Sequence, residues 1–352
     1  MTPAPPKAPW HPASLADRLP ALRARAAMAA ATRAWFSARG FMEVETPALV
    51  PVPGMEVHLH GFDTEFRPHL GRGEATRLWL RTSPELALKR LLVAGAGPVF
   101  ELARVWRNGE VSPRHAPEFT MLEWYAPGAS LADLMDQTEA YVRAMLPAVA
   151  THDGVTTDVT RPFERLRMQD AFARWCGIDL LATVSPDGEG DGPALLAAAG
   201  AAGHPLPDDL SWEDAFFRLM LDHVEPRIGR DTGTFLTHWP TPQAALARRD
   251  PTDPRCALRF EVFVAGIELA NAFDELTDPG EQRARFIRDV ADRARLHPDA
   301  PGWPVDEDFL AALDAGLPPT SGIALGFDRL VMLAAGVPRV ADTLWLGGWP
   351  FA

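Results

Sequence analysis

Arg107, His115 and Phe119 lie in one short stretch of the chain, at spacings suited to gripping a nucleoside triphosphate. Several turn-forming residues separate Arg107 from Phe119, so the stretch predicts two antiparallel strands joined by a long loop. In that arrangement Arg107 can neutralise an α-phosphate, His115 can reach a terminal phosphate, and Phe119 can stack on a base. The alternative for this segment alone is an ion-pairing surface strand with a core phenylalanine.

A second candidate segment, residues 321–330, places small residues directly before an arginine. Gly322, Ala324 and Gly326 would let the backbone approach a ligand closely, and Arg329 is expected in the first turn of the apolar helix that follows. The helix dipole adds to the arginine charge, which favours a triphosphate at that end. Small residues also serve helix packing, so the pattern by itself is compatible with both uses.

Two carboxylates provide a candidate metal site. Glu261 and Glu268 lie on opposite arms of a predicted hairpin whose turn is Ala265-Gly266. Carboxylate oxygens bind Mg²⁺, which would bridge the phosphates of ATP. Taken alone, two strand glutamates are usually ordinary surface charge, and it is the flanking motifs that favour metal binding.

Three ordered segments together resemble the motifs of class II aminoacyl-tRNA synthetases. Residues 38–47 resemble motif 1, Arg107–Tyr125 motif 2 and residues 321–330 motif 3, and the resemblance covers about residues 15 to 335. The branch it resembles is the lysyl one, through the segments Thr82–Glu85 with Lys89, Phe119–Tyr125, Arg259–Glu261 and Gly266–Glu275. The resemblance implies an α+β fold with a central antiparallel β-sheet flanked by helices, ATP and Mg²⁺ as cofactors, and a homodimer formed through motif 1.

The resemblance also implies roles for individual residues. Arg107 and Arg329 would stabilise the transition state as a carboxylate attacks the α-phosphate, while Glu261 and Glu268 hold the metal. The residues expected to bind the nucleotide are Arg107, Asn108, His115, Phe119, Glu268, Leu269, Gly326 and Arg329. The residues expected to bind the amino acid are Ser83, Pro84, Glu85, Glu123, Tyr125, Asn271, Glu275 and Ala324.

The acidic side chains of the second set imply a cationic substrate. In lysyl enzymes the counterparts of Glu123, Tyr125 and Glu275 surround the side-chain ammonium group, and that of Glu85 accepts from the backbone amine. An aspartate-specific relative would need cationic groups there. The resemblance therefore implies a lysine-type amino acid.

The position of motif 1 bears on which lysyl-type protein this is. It begins near residue 38, whereas an N-terminal anticodon-binding barrel needs on the order of 100 residues before it. We therefore expect a stand-alone catalytic core, similar to the synthetase paralogues that attach a lysine-type amino acid to a lysine of elongation factor P. That branch also has alanine where lysyl-tRNA synthetases have glycine, here Ala324, and it favours (R)-β-lysine. The residues themselves do not separate α-lysine from (R)-β-lysine.

Two residues depart from the lysyl pattern. Gly109 and Ala116 stand where the family has glutamate and asparagine side chains that help to recognise adenine. Glu110 could replace the first through a one-residue shift of the loop, and backbone groups around Ala116 could replace part of the second. Each lost hydrogen bond costs about 0.5 to 1.5 kcal/mol.

Composition fits a soluble enzyme of the cytoplasm. The formal net charge of −13 argues against a broad nucleic-acid-binding surface, and thus against tRNA as a partner, although a local basic patch stays open. Cys176 and Cys256 have no metal-ligand spacing. No apolar run reaches the roughly 18 residues that a membrane span needs.

The sequence predicts one catalytic domain over residues 15–352, preceded by a disordered proline-rich arm over residues 1–14. Within the domain, the Ala/Gly-rich spacer around residues 147–209 is expected to be a helical insertion. Residues 280–296 predict a charged surface helix, whose arginines are the best candidates for contacting an acidic protein partner.

Two other functions stay open at this point. The chain could be an amino-acid ligase with another acceptor, such as tRNA, a lipid or a small molecule. It could also be a catalytically silent paralogue that binds lysine or ATP and regulates a partner, which the changes at Gly109 and Ala116 allow. Retention of the full set of phosphate and metal residues favours activity, because a pure binding module does not need it.

Overall fold

The structure is a computed structural model that describes residues 8–69 and 73–347. Within these ranges no helix is both long enough and apolar enough to cross a lipid bilayer. The helices are α1 (Pro12–Ser37), α2 (Glu85–Val93), α3 (Leu131–Met145), α4 (Met168–Trp175), α5 (Gly192–Ala201), α6 (Trp212–Leu219), α7 (Pro279–Leu296), α8 (Glu307–Gly316) and α9 (Phe327–Ala335). The strands are β1 (Met42–Glu43), β2 (Leu49–Val50), β3 (Phe62–Phe66), β4 (Thr76–Leu80), β5 (Val99–Trp106), β6 (Glu118–Pro127), β7 (Val149–His152), β8 (Val155–Asp158), β9 (Glu164–Arg167), β10 (Thr234–Pro240), β11 (Cys256–Val264), β12 (Ile267–Asp274) and β13 (Thr320–Gly326).

An eight-stranded sheet in the order β1-β5-β6-β13-β12-β11-β10-β9 forms the centre of the fold. The six inner strands, in the spatial order β5-β6-β13-β12-β11-β10, pair with one another in antiparallel fashion. The short strands β1 and β9 add to the two edges in parallel, β1 next to β5 and β9 next to β10. Strands β2, β4 and β3 form a smaller sheet. The expected α+β fold with a central antiparallel sheet is confirmed.

The central sheet has one apolar face and one polar face, because successive side chains of a strand point to opposite sides. Leu122, Trp124, Ile323 and Leu325 belong to the apolar face, where they form a core with residues of α1, α3 and α9. On the other face the register aligns one residue from each of five neighbouring strands in a single row: Glu101, Glu123, Ala324, Asn271 and Glu261. Pairing of distant segments thus brings the polar residues onto one surface.

Helix α1 begins before the end of the expected disordered arm. It starts at Pro12, since a proline in the first turn has no N–H that would need an intrahelical partner. The His11 side chain accepts a hydrogen bond from the Ala13 N–H at 3.1 Å and caps the helix. The arm prediction is therefore wrong for residues 12–14, and its residues 1–7 lie outside the described residues.

The spacer around residues 147–209 is not helical throughout. Its first part forms the hairpin β7–β8 and the edge strand β9, and only then do α4 and α5 follow. The helical prediction is therefore wrong for residues 149–167. Asp153 and Gly154 have φ values of 45° and 77°, as the two-residue turn favoured by Asp-Gly requires. That dipeptide is the sequence signal for the hairpin.

The arginine-rich helix α7 forms as expected, but its arginines are not all solvent-exposed. Arg285 and Arg293 are buried because their guanidinium groups donate to backbone carbonyls, Arg285 to Ala245 and Ala247, and Arg293 to Val57. The expectation of exposed arginines is wrong at these two positions, which instead tie loops to the helix. A role of this helix in contacting an acidic partner stays a prediction.

Candidate active site

A cavity of about 300 Å³ opens on the polar face of the central sheet. It draws its lining from loops and strands that are far apart in sequence, including the loop between β5 and β6, strand β12 and strand β13. The cavity contains most of the residues expected from the sequence: Ser83, Glu85, Arg107, His115, Phe119, Tyr125, Glu268, Leu269, Asn271, Ala324, Gly326 and Arg329. Five expected residues do not line it: Pro84, Asn108, Glu123, Glu261 and Glu275.

Arg329 lines the cavity next to the start of α9. It lies in the first turn of α9, as expected, and its guanidinium donates to the Glu268 carbonyl at 2.8 Å and to Nε2 of His115 at 2.6 Å. Burial, together with the Arg329 charge, lowers the pKa of His115, which therefore stays a neutral imidazole. Its Nδ1 lies 2.7 Å from the Ser112 hydroxyl, so Nδ1 carries the proton while Nε2 accepts. An arginine at a helix N-terminus next to a neutral histidine is an arrangement suited to a polyphosphate.

Arg107 is part of the cavity wall. Its guanidinium carbon lies 5.3 Å from the ring centroid of Phe119, and Nη1 is 3.9 Å from the Glu110 carboxylate. Its Nε is buried and has no hydrogen-bond partner among the described residues. An unused donor on a planar cation is what a phosphate or carboxylate oxygen would satisfy.

Both positions that depart from the lysyl pattern are close to this wall. Ala116 lines the cavity, and so does Glu110, the residue after Gly109. Glu110 is therefore placed where it can stand in for the missing side chain at Gly109. Asn108, in contrast, is exposed and its N–H donates to the His60 carbonyl at 2.7 Å.

The two candidate metal ligands lie on paired strands, as expected. Glu261 is on β11 and Glu268 on β12, joined by the Ala265-Gly266 turn. Burial, followed by the charge of Glu268, raises the pKa of Glu261 to about 8. Arg259 donates to Glu261 at 2.5 Å and holds it. Two carboxylates that repel each other are compatible with a cation between them.

Residues 8–69 and 73–347 contain no group of three or more His, Cys, Asp and Glu side chains arranged around one metal position. The two carboxylates of Glu261 and Glu268 therefore fit a Mg²⁺ ion bound together with a nucleotide, rather than a metal site made by protein ligands alone. Magnesium usually takes only one or two protein carboxylates and completes its shell with phosphate oxygens and water.

Glu123 is fully buried next to Tyr125, which lines the cavity. The Ser83 hydroxyl donates to Oε1 of Glu123 at 2.6 Å, and the Tyr125 hydroxyl donates to Oε2 at 3.2 Å. Burial, with a further contribution from the Glu85 charge, raises the pKa of Glu123 to about 8. A carboxylate held this far from water is poised to pair with a buried cation.

Glu275 lies directly behind the cavity wall. A Cβ added at Gly322, which lines the cavity, would be 2.6 Å from Oε1 of Glu275. The other oxygen, Oε2, is 2.5 Å from Nζ of Lys89, and the same Nζ donates to Glu85 at 2.6 Å. Sequence reasoning places Lys89 in the lysyl pattern without a role. The Glu85–Lys89 spacing of four residues on α2 is the signal that indicates the first of these pairs.

Sequence reasoning also misses two acidic residues that line the cavity, Glu56 and Asp328. Asp328 accepts from the Thr120 N–H at 3.0 Å and pairs with the buried Arg25 of α1. Burial raises the pKa of Glu56, and the charge of Arg107 opposes that shift. Arg25 and Asp328 are 303 residues apart, so no local spacing indicates their contact.

Comparison with known proteins agrees with this geometry. The family model described as tRNA synthetases class II (D, K and N) matches residues 16–347. The chain is 41% identical, over 337 residues, to proteins named elongation factor P–(R)-β-lysine ligase from Klebsiella pneumoniae (strain 342), Salmonella dublin and Proteus mirabilis. The aligned part is 95% of this chain and 96% of each relative.

Proposed function

Because the chain belongs to the class II tRNA synthetase family of the D, K and N type, we propose that it is an ATP-dependent ligase. It activates a lysine-type amino acid, (R)-β-lysine, as the adenylate and transfers it to a lysine side chain of elongation factor P. The observation that carries the proposal is the 41% identity to the named ligases over 95% of the chain. The carboxylates around the cavity support a substrate with more than one ammonium group.

In the first step an oxygen of the amino-acid carboxylate bonds to the α-phosphorus while the bond to pyrophosphate breaks. Arg107 would hold the reacting carboxylate and α-phosphate with its unused donor, and Arg329 would hold the departing phosphates at the α9 N-terminus. Bound Mg²⁺ would neutralise phosphate charge, with Glu261 and Glu268 as the residues that would hold it. Positioning and electrostatics therefore supply the catalysis.

In the second step the acceptor's lysine amine attacks the activated carbonyl. An amide bond forms, AMP leaves, and the amine proton is released to solvent. Before that, Glu85, Glu123 and Glu275 would have oriented the amino acid by its ammonium groups. Ala324 lies in the same cross-strand row as Glu123, and its methyl group would narrow the pocket around the substrate carbon chain.

The test is ATP–pyrophosphate exchange with (R)-β-lysine, α-lysine, aspartate or no amino acid, with Mg²⁺ present and then chelated. Magnesium-dependent exchange with either lysine, strongest with the β-isomer, supports the proposal, and labelling of purified elongation factor P then tests the acceptor. An Arg329→Met variant controls for contaminating synthetases. If none of the tested amino acids supports exchange, the ligase proposal is refuted and a regulatory paralogue is favoured.

We also propose a homodimer that acts in the cytoplasm, where translation takes place. Three large apolar side chains near the N-terminal segments are about half exposed: Met42, Leu49 and Phe66. Met42 lies within motif 1 and Leu49 just after it, and apolar side chains left exposed there support an interface. Light scattering of the purified protein should give the mass of two chains, and the mass of one chain would contradict the homodimer.

A further inference from the structure

Lys89 is an unusual residue in this chain. Lysine occurs only at positions 7 and 89, although lysine and arginine together number 34. Lys89 is also buried, with 1% of its surface exposed. A fully buried ammonium group is costly unless it is paired, and Lys89 is paired with two carboxylates, Glu85 at 2.6 Å and Glu275 at 2.5 Å.

The two partners of Lys89 both belong to the set of residues expected to bind the amino acid. Glu85 lines the cavity directly. Neither carboxylate oxygen of Glu275 has a hydrogen-bond partner among the described residues, although Oε2 lies in ion-pair contact with the Lys89 ammonium, 2.5 Å away, and Oε1 lacks even that contact. Oε1 lies just behind Gly322, where only the absence of a side chain leaves room for it. Lys89 therefore pairs with both carboxylates without lining the cavity itself, so it takes up none of the space for a substrate.

The charges around the amino-acid pocket can be counted once Glu56, which also lines the cavity and interacts with Glu85, is set against Arg107, the cation that acts on it. Glu85, Glu123 and Glu275 carry three negative charges when ionised, and Lys89 carries one positive charge. The excess is two negative charges, which matches the two ammonium groups of a diamino acid. Glu123 is held by Ser83 and Tyr125, which carry no charge, so Lys89 is the one cation within ion-pairing distance of these three carboxylates in the part of the chain that the structure describes.

We propose that Lys89 is the positioning residue that sets specificity for a dicationic amino acid. Its ammonium group holds Glu85 and Glu275 in place by ion pairs, and leaves an excess of two carboxylate charges for the substrate when all three carboxylates are ionised. This inference rests on the proposed function, since it concerns the same pocket. It adds Lys89 to the residues that determine amino-acid binding, although Lys89 would not contact the reacting atoms.

The variant that tests it is Lys89→Met, which keeps the length of the side chain and removes its charge. The matched control is Arg90→Met, the next residue on α2. Arg90 likewise joins two carboxylates, Asp306 at 2.5 Å and Asp308 at 2.7 Å, but it does so on the side facing α8, away from the cavity. Comparing the two variants separates loss of a buried cation near the pocket from general loss of an ion pair on this helix.

Pyrophosphate exchange is measured with the diamino acid and ATP varied separately, between about pH 6.5 and 9.5. In Lys89→Met the KM for the diamino acid should rise at least about tenfold at pH 7.5, while the KM for ATP stays within about twofold. The pH above which KM levels off should also move upward, because a carboxylate without its cation must lose a proton to bind the substrate. Arg90→Met should show none of these changes. Equal losses for both substrates, or no change in Lys89→Met, would overturn the proposal.

A second measurement on the wild-type chain does not depend on turnover or on the variant folding. Protein labelled with ¹³C,¹⁵N-lysine has side-chain signals from Lys89 and Lys7 alone. The Lys89 signal should shift when α-lysine or (R)-β-lysine is added without ATP, and should not shift with norleucine, which lacks the second amine. If exchange fails with every amino acid but this shift occurs, the ligase function is refuted and the role of Lys89 stands. Absence of the shift overturns the role of Lys89.

Discussion

Replacing Gly322 by alanine is expected to damage amino-acid binding while leaving ATP binding intact. Gly322 lies on β13 opposite Tyr125 of β6. A Cβ at this position would lie 2.6 Å from Oε1 of Glu275 and closer still to Cδ1 and Cε1 of Tyr125. Carbon atoms in contact rest at about 3.5 to 4.0 Å, so the tyrosine ring would have to retreat by about 1 Å or more.

Tyr125 has little space for such a movement. It is 2% exposed and belongs to a buried cluster that includes Leu88, Val99 and Phe286. Overpacking of this kind costs about 1 to 3 kcal/mol. A cost that falls on the substrate complex would raise KM for the amino acid about 5- to 150-fold, and a cost that falls on the free protein would lower its free energy of unfolding by the same amount.

The assay is pyrophosphate exchange with the amino acid and ATP varied separately, together with chemical denaturation of the free protein. Gly200→Ala is the control, because a Cβ at Gly200 on the exposed part of α5 would meet no atom within 4 Å. It should keep both KM values and gain up to about 1 kcal/mol of stability from helix propensity. If Gly322→Ala leaves both the KM for the amino acid and the free energy of unfolding unchanged, the packing argument is refuted.

Two further predictions concern charged residues in or next to the cavity. Arg329→Lys keeps the charge but loses the fork that reaches both Glu268 and His115, so kcat/KM for ATP should fall at least about tenfold, and an unchanged value would contradict the assigned geometry. The pKa of Glu123 is raised to about 8 in the folded protein from an ordinary 4.5, so the folded state holds the extra proton between these values. The free energy of unfolding should therefore fall as pH rises through that window, by at most about 1.4 kcal/mol per pH unit from this group, and the fall should be smaller in Glu123→Gln. Denaturation midpoints of the substrate-free proteins at several pH values test this, and parallel curves for the two proteins would contradict it.

The elements that local chemistry determines are predictable from the sequence. The paired strands on either side of the Arg107–Phe119 loop are confirmed, since turn formers separate two apolar runs. Arg329 lies in the first helical turn because small residues precede an apolar helix there. The turn Ala265-Gly266 lies between β11 and β12, with both residues at positive φ. In each case the signal and the structure are only a few residues apart.

The contacts that the sequence does not indicate are long-range ones. Arg25 pairs with Asp328, and Glu275 with Lys89, across 303 and 186 residues respectively, and each pair exists only because the central sheet brings two chain segments together. The burial of Arg285 is missed for a related reason. Its charge indicates exposure, but carbonyls from a distant loop satisfy it inside the fold.

The row of residues across the sheet limits how this pocket can change over evolution. Strand positions alternate between faces, so a shift of β13 by one residue would turn the side chains of Ile323 and Leu325 from the core toward the cavity, and that of Ala324 into the core. Inserting or deleting a residue in this strand would thus exchange the whole lining at once and fill the cavity with apolar bulk. Within this strand, the lining of the pocket can therefore change for a new substrate only by replacing one side chain at a time, because the register fixes which positions face the cavity.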